Sequence, residues 1–166
     1  MRPFALLAPL AVAALAAPLA MAQPCARPAD LAAFDVASLK SQLMVTALMC
    51  NARDGYNAFV LRFRTDLMAQ EHALQGYFAR SYGGGGQQRH DDYVTQLANA
   101  HSQAAIRFGT SYCYRNVGLL GEVLSLPNGA SLAGYAGAKG LVQPVALVSC
   151  ATPREGSQVA QARDRR

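Results

Sequence analysis

The chain has 166 residues, of which 52% are hydrophobic and 15% charged, and its formal net charge is +5. This length suits one domain with a substantial core. The arginines are scattered and no nucleic-acid-binding motif accompanies them, so the sequence argues against nucleic-acid binding.

The first 22 residues are typical of a secretory signal peptide. Arg2 precedes an apolar run from Phe4 to Leu19, and Ala20-Met21-Ala22 forms an A-x-A cleavage site. Cleavage is therefore predicted before Gln23. A retained membrane anchor is the weaker alternative, because a spanning helix needs roughly 20 apolar residues. No later segment is expected to span a bilayer, and the mature protein is expected to be periplasmic or secreted.

The mature chain contains four cysteines, Cys25, Cys50, Cys113 and Cys150. An even number of cysteines in an exported chain indicates disulfides, whereas a zinc site would favour close C-x-x-C pairs, which are absent. Three pairings are open. We favour Cys50–Cys113, because both cysteines follow the core faces of helices, and Cys25–Cys150, because both lie near the chain ends.

Hydrophobic periodicity predicts helices in the first half of the chain. Residues 23–34 are expected to be irregular, and Asp35 is expected to cap a helix over residues 36–50. A second apolar stripe predicts a helix over residues 56–81, and its continuity with the first stays open. Four consecutive glycines, Gly83 to Gly86, are expected to end this helix and to link it to the next.

The second half of the chain continues the helical pattern. Asp91 or Asp92 is expected to cap a third helix that reaches Tyr112, and a shorter helix is expected over residues 117–126, before a turn at residues 127–129. A small helix should follow to Ala138, and residues 145–148 are expected to be extended. The predicted fold is all-α, an antiparallel bundle of about four helices over residues 23–150. Two disulfides staple this bundle, and residues 151–166 are expected to form a disordered tail.

Few residues form patterns that indicate chemistry. His90, Asp91 and Asp92 are adjacent and are the candidates for a surface metal or a hydrolytic site, but a solvated helix start is the simpler interpretation. His101 is expected to be a hydrogen-bonded, partly buried residue. No covalent haem motif C-x-x-C-H occurs, and no cofactor is expected, although a haem held by Met and His stays open. The methionines Met44, Met49 and Met68 are interpreted as core residues.

Two aromatic groups are the candidates for a binding surface. These are Tyr77 with Tyr82, and Tyr112 with Tyr114 and Arg115. Consecutive tyrosines on a helix cannot all face the core, so one tyrosine of each group is expected to be exposed.

Three functional hypotheses follow. The first is an exported, non-catalytic helical protein that binds a macromolecular or cell-envelope partner. The second is a carrier of a small apolar ligand between its helices. The third is a hydrolase that uses His90, Asp91 and Asp92.

Overall fold

The computed structural model describes residues 24–150. The predicted signal peptide, its cleavage before Gln23 and the predicted tail at 151–166 lie outside the described residues. Within 24–150 the elements are α1 (Pro28–Met49), α2 (Arg53–Arg62), α3 (Arg64–Tyr82), a 3₁₀ turn (Gly83–Gly85), α4 (Gly86–Phe108), α5 (Ser111–Asn116), α6 (Gly118–Leu124) and α7 (Ala130–Ala138). The predicted all-α fold is confirmed.

Helix α1 begins earlier than expected, at Pro28 rather than after Asp35. Pro28 suits a first helical position, because its fixed φ matches the helix and its missing N–H is not needed there. The carboxylate of Asp30 accepts a hydrogen bond from the backbone N–H of Arg27 at 2.9 Å, which closes a capping box. Asp35 therefore lies inside the helix, and only residues 24–27 precede it.

The predicted helix over residues 56–81 is divided in two, and it is separate from α1. Phe63 breaks the helical backbone between α2 and α3 with a φ of −106°. Asn51, just after α1, has a φ of 53°. This left-handed conformation is tolerated by asparagine better than by most residues, and it ends α1 before α2 begins.

The glycine segment makes a tight turn between α3 and α4. Gly83 has a φ of 55°, which a residue with a Cβ rarely adopts. A Cβ on Gly86 would lie 2.8 Å from the carbonyl oxygen of Phe78, so only glycine allows this close approach of the two helices. Because α4 begins at Gly86, neither Asp91 nor Asp92 caps it, which corrects the sequence-based prediction.

Helix α1 is the central element and contacts α2, α3, α4, α5 and α7. Arg80 of α3 meets Asp30 near the start of α1, whereas Glu71, earlier in α3, meets Lys40 further along α1. Helices α1 and α3 are therefore antiparallel. Helix α4 returns along α3, so α1 and α4 run in the same direction.

Three hydrophobic clusters fill the bundle, of which the smallest surrounds the Cys50–Cys113 disulfide and the other two are larger. One is aliphatic and phenylalanine-rich and joins α1 to α2, α3, α6 and α7, with Leu39, Leu43 and Leu132 among its buried members. The other is aromatic and lies nearer the start of α1. The ring of Phe34 packs edge-on against Tyr77 and Tyr93, at centroid distances of 5.0 and 4.9 Å.

The two predicted disulfides, Cys25–Cys150 and Cys50–Cys113, are both present. Beside the first, the N–H of Ala26 donates to the carbonyl of Val148 at 2.8 Å, in keeping with an extended segment at 145–148. This bridge ties the end of the described chain to its beginning. Two disulfides indicate that the protein folds in an oxidising, extracytoplasmic environment.

Helix α1 is long and apolar enough to cross a membrane by length and composition alone, contrary to the expectation for segments after the signal. In the fold, 61% of its most apolar window is buried inside the protein. A helix surrounded by other helices is apolar on most sides, so its position in the core accounts for this composition.

Candidate functional site

One face of α1 is left uncovered by the other helices. Ala37, Lys40, Met44 and Leu48 follow one another at steps of three or four residues and so share a face. Ala37 and Met44 are half-buried, and Leu48 is 57% exposed. Helices α3 and α4 stand on either side of this face, which makes it the floor of a groove.

The groove consists of two adjoining pockets. The first has a volume of about 480 Å³, and its apolar lining residues are Ala37, Met44, Leu74, Val94, Leu97 and Ala98. The second has a volume of about 360 Å³, and its apolar lining residues are Val60, Leu67 and Met68. Lys40 and Glu71 line both pockets and mark the boundary between them.

A polar network stands at this boundary. Nε2 of His90 lies 2.8 Å from Oε1 of Glu71, and Gln75 donates to the same oxygen at 3.4 Å. The other oxygen of Glu71 lies 3.9 Å from the ammonium of Lys40, which is an ion pair without a hydrogen bond. Glu71 is therefore oriented mainly towards His90.

His90 is buried, which corrects its interpretation as part of a solvated helix start. Its Nδ1 lies 3.2 Å from Oδ1 of Asp91, so each ring nitrogen faces a carboxylate. A carboxylate can only accept, so both contacts can be hydrogen bonds at the same time only when both ring nitrogens carry protons. The physical reason for the burial is the early start of α4 at Gly86, which places His90 on the same face as Tyr93 and Leu97.

This geometry does not favour the hydrolase hypothesis. A histidine that acts as a general base needs a ring nitrogen facing the group that loses its proton, and both nitrogens of His90 already face carboxylates. Asp92 is exposed, and it makes no side-chain hydrogen bond to any residue within 24–150. Over the same residues, no group of three or more His, Cys, Asp or Glu side chains is arranged to hold a metal ion.

Two serines on α1 differ in their hydrogen bonding. Ser41 lines the first pocket and is 8% exposed, and its hydroxyl is the one buried side-chain polar atom within residues 24–150 that lacks a hydrogen-bond partner in the protein. The hydroxyl of Ser38 donates to the carbonyl of Val142 at 2.8 Å. Buried polar atoms without a partner are rare in native proteins, so the Ser41 hydroxyl is an exception within this fold.

His101 has a structural role. Its Nε2 lies 3.1 Å from the hydroxyl oxygen of Ser38. Since the Ser38 proton is directed to Val142, Nε2 of His101 is the donor in this bond. Burial lowers the pKa of His101 to about 4, so the ring is neutral near pH 7. His101 is hydrogen-bonded, as expected, and it is fully rather than partly buried.

The candidate tyrosine surface is divided by the fold. Tyr77 packs against Phe34 in the aromatic cluster. The hydroxyl of Tyr112 accepts a hydrogen bond from Gln42 at 2.9 Å. Both tyrosines are buried, so each group exposes one tyrosine, as expected, and the exposed one is not Tyr77 or Tyr112.

The remaining members of this candidate set are exposed. Tyr82 is 43% exposed at the end of α3, near the start of α1, whereas Tyr114 is 91% exposed beside the disulfide at the end of α1. They therefore lie at opposite ends of the bundle. Phe108, Tyr114 and Arg115 form what we call the end patch, in which the guanidinium of Arg115 lies 5.4 Å from the ring centroid of Phe108.

The methionines also differ from expectation. Met49 and Met68 are each 53% exposed and Met44 is half-buried, so none of the three is a fully buried core residue. They were interpreted as core residues because methionine is apolar and fills irregular gaps, but at these positions no helix within residues 24–150 covers them fully. The sequence signal that was missed is the breadth of the apolar surface of α1, which exceeds what one packing face requires.

No protein family model, characterised protein or solved structure matches this chain. The function is therefore argued from the groove, its polar boundary and the disulfides.

Proposed function

We propose that this protein is an exported, non-catalytic carrier that binds a small, largely apolar ligand in the groove along α1. The observation that carries the proposal is the groove itself, a concave and mainly apolar surface of about 480 Å³ in its larger pocket. Small-molecule sites usually occupy roughly 300–1,000 Å³ and combine apolar walls with a few polar groups. The disulfides and the signal-like first 22 residues support export to the periplasm or the medium.

The composition of the groove suits apolar ligands of different shapes. Met44 and Met68 line the first and second pockets, and methionine side chains adapt to different apolar partners. Most polar groups stand at the boundary, and the other polar lining residues are Ser41, Thr95, Arg64 and His72. A ligand could therefore bury an apolar body against α1 and direct one polar group to the boundary.

The test is a titration of the secreted, mature protein with the neutral fluorescent probe N-phenyl-1-naphthylamine. Ala98→Phe fills the first pocket, and its matched control is Asn99→Phe, which adds the same ring to an exposed position outside both pockets. We expect Ala98→Phe to weaken probe binding about tenfold, or about 1.4 kcal/mol, and Asn99→Phe to leave it unchanged. Absence of probe binding, or equal effects of the two variants, would contradict the proposal.

The end patch supports a second candidate function, the binding of a macromolecular or cell-envelope partner. Tyr114 and Phe108 are exposed together beside Arg115, and aromatic and arginine side chains are enriched at protein interfaces. We expect a partner captured from envelope extract to be lost with Tyr114→Ser and retained with Tyr82→Ser, which alters the opposite end. Equal recovery with both variants would count against this candidate.

A further inference from the structure

We infer, on the basis of the proposed carrier function, that the ligand is an anionic amphiphile, a long-chain carboxylate whose head-group binds at Lys40. The chain of this ligand would lie in the first pocket, over Met44 and beneath Val94 and Ala98. The charged groups at the groove boundary differ in whether they already have partners in the protein.

The carboxylates at the boundary are supplied with donors. Oε1 of Glu71 lies 2.8 Å from the ring of His90 and accepts from Gln75. Oδ1 of Asp91 lies 3.2 Å from the other ring nitrogen and accepts from Gln87 at 2.9 Å. Each carboxylate therefore already accepts at least one hydrogen bond from a neighbouring side chain.

Lys40 differs from these carboxylates. Its ammonium makes no hydrogen bond to any residue within 24–150, and its nearest carboxylate oxygen, on Glu71, is 3.9 Å away. The side chain is 46% exposed, and it stands between two apolar pockets, where water is partly excluded. An ammonium in this setting gains most from an added anion, because the local dielectric constant is lower than that of bulk water.

A second cation reinforces this preference. Arg64, the first residue of α3, lines the second pocket and has no salt bridge within the described part of the chain. The second pocket thus holds Lys40 and Arg64 against one carboxylate, that of Glu71, which is directed to His90. A carboxylate at the boundary would contact Lys40 and lie in the positive field of Arg64.

The apolar part of the ligand has a defined place. From Lys40, the first pocket continues along α1 past Ser41 and Met44, between α1 and α4. A chain bound in this direction leaves its carboxylate at the boundary and buries its methylenes against the apolar lining of the first pocket.

The chain offers a matched control, since Lys40 and Lys139 are its two lysines. Lys139 is paired with Glu122, away from the groove. Lys40→Met and Lys139→Met therefore remove the same charge and add the same apolar side chain at two places. Lys40→Gln serves as a second variant, because it keeps a polar end at the boundary.

The experiment measures displacement of N-phenyl-1-naphthylamine by dodecanoate, dodecan-1-ol and dodecylammonium at pH 8. We expect the wild type and Lys139→Met to bind dodecanoate about tenfold more tightly than the alcohol. Both Lys40 variants should bind the two ligands equally, and added salt should reduce the wild-type preference.

The outcomes separate the two proposals. Equal binding of dodecanoate and dodecanol by the wild type, or tighter binding of dodecylammonium, would overturn the anionic class and leave the carrier function standing. A preference for dodecanoate that persists in both Lys40 variants would overturn the role of Lys40. If neither the probe nor any of the three ligands binds, the carrier function itself fails.

Discussion

The covered face and the open face of α1 differ in how completely their polar side chains find partners in the fold. On the covered face, Ser38, Gln42 and Thr46 follow at four-residue steps, and the side chain of each makes a hydrogen bond. On the open face, the hydroxyl of Ser41 has no partner and the ammonium of Lys40 has a distant one. The faces belong to one continuous helix, so local helix chemistry does not explain the difference.

This contrast shows where a binding function is to be sought. Native proteins satisfy nearly all of their buried polar groups, and an exception indicates either a local cost or a missing partner. On α1 the unpartnered hydroxyl of Ser41, the weakly paired ammonium of Lys40 and the half-buried Met44 all lie on the open face. We infer that the covered face stabilises the fold and that the open face binds the ligand.

The first prediction compares adjacent residues on the two faces. Leu43 is fully buried in the aliphatic cluster, whereas Met44 lies on the open face. Leu43→Ala should lower the free energy of unfolding by about 2–5 kcal/mol, because it removes apolar contacts and leaves a cavity. Met44→Ala should cost about 1 kcal/mol or less, because its side chain is partly solvated. Urea unfolding measures both, and equal losses would show that the open face is part of the core.

The second prediction concerns acid stability of the covered face. Burial lowers the pKa of His101 from an ordinary 6.5 to about 4, so its stabilising contribution is complete above pH 6.5. This contribution is lost as the pH falls from 6.5 towards 4, by on the order of 2–3 kcal/mol, because the unfolded chain then binds the proton more readily. The free energy of unfolding, measured from pH 6.5 to pH 4, should fall in the wild type and should fall less in His101→Gln. An identical pH dependence in the variant would contradict the assignment.

The third prediction uses the two serines. Ser38→Ala removes the hydroxyl that bridges His101 and Val142, and it should destabilise the protein by about 1–2 kcal/mol. Ser41→Ala removes an unpartnered hydroxyl and introduces a better helix former, so it should be neutral or stabilising by up to about 1 kcal/mol. Thermal unfolding distinguishes the signs. A loss of stability in Ser41→Ala would show that this hydroxyl has a partner in solution.

Much of the fold could be predicted from the sequence, because it depends on local signals. The apolar periodicity located the long helices, and the even cysteine count with the position of each cysteine gave both disulfides. The errors lie at helix starts and at helix breaks, since Phe63 divides the predicted helix over residues 56–81 and α4 ends at Phe108, short of the predicted Tyr112. Pro28 with Asp30 is a start signal that composition alone concealed, and Gly86 begins α4 because of its close contact with α3. The second case is a tertiary effect that no local pattern contains.

The groove could not be predicted in the same way. It exists because no helix within residues 24–150 covers one face of α1. Hydrophobic periodicity shows which residues share a helix face, but it does not show which element packs against that face. The burial of His90 could have been predicted, since it precedes Tyr93 by three residues and Leu97 by seven and so shares their buried face. The pairing of its ring with Glu71 depends on how α3 packs against α4, which the sequence does not encode locally.

The most direct test of the open face is a methyl NMR titration of the mature protein with dodecanoate, using labelled methionine. Met44 and Met68 line the groove, whereas Met49 is exposed at the end of α1, outside both pockets. We expect a saturable shift of the Met44 methyl signal and no shift of the Met49 methyl signal. Shifts at Met49 with none at Met44 would contradict the assignment of the groove as the ligand site.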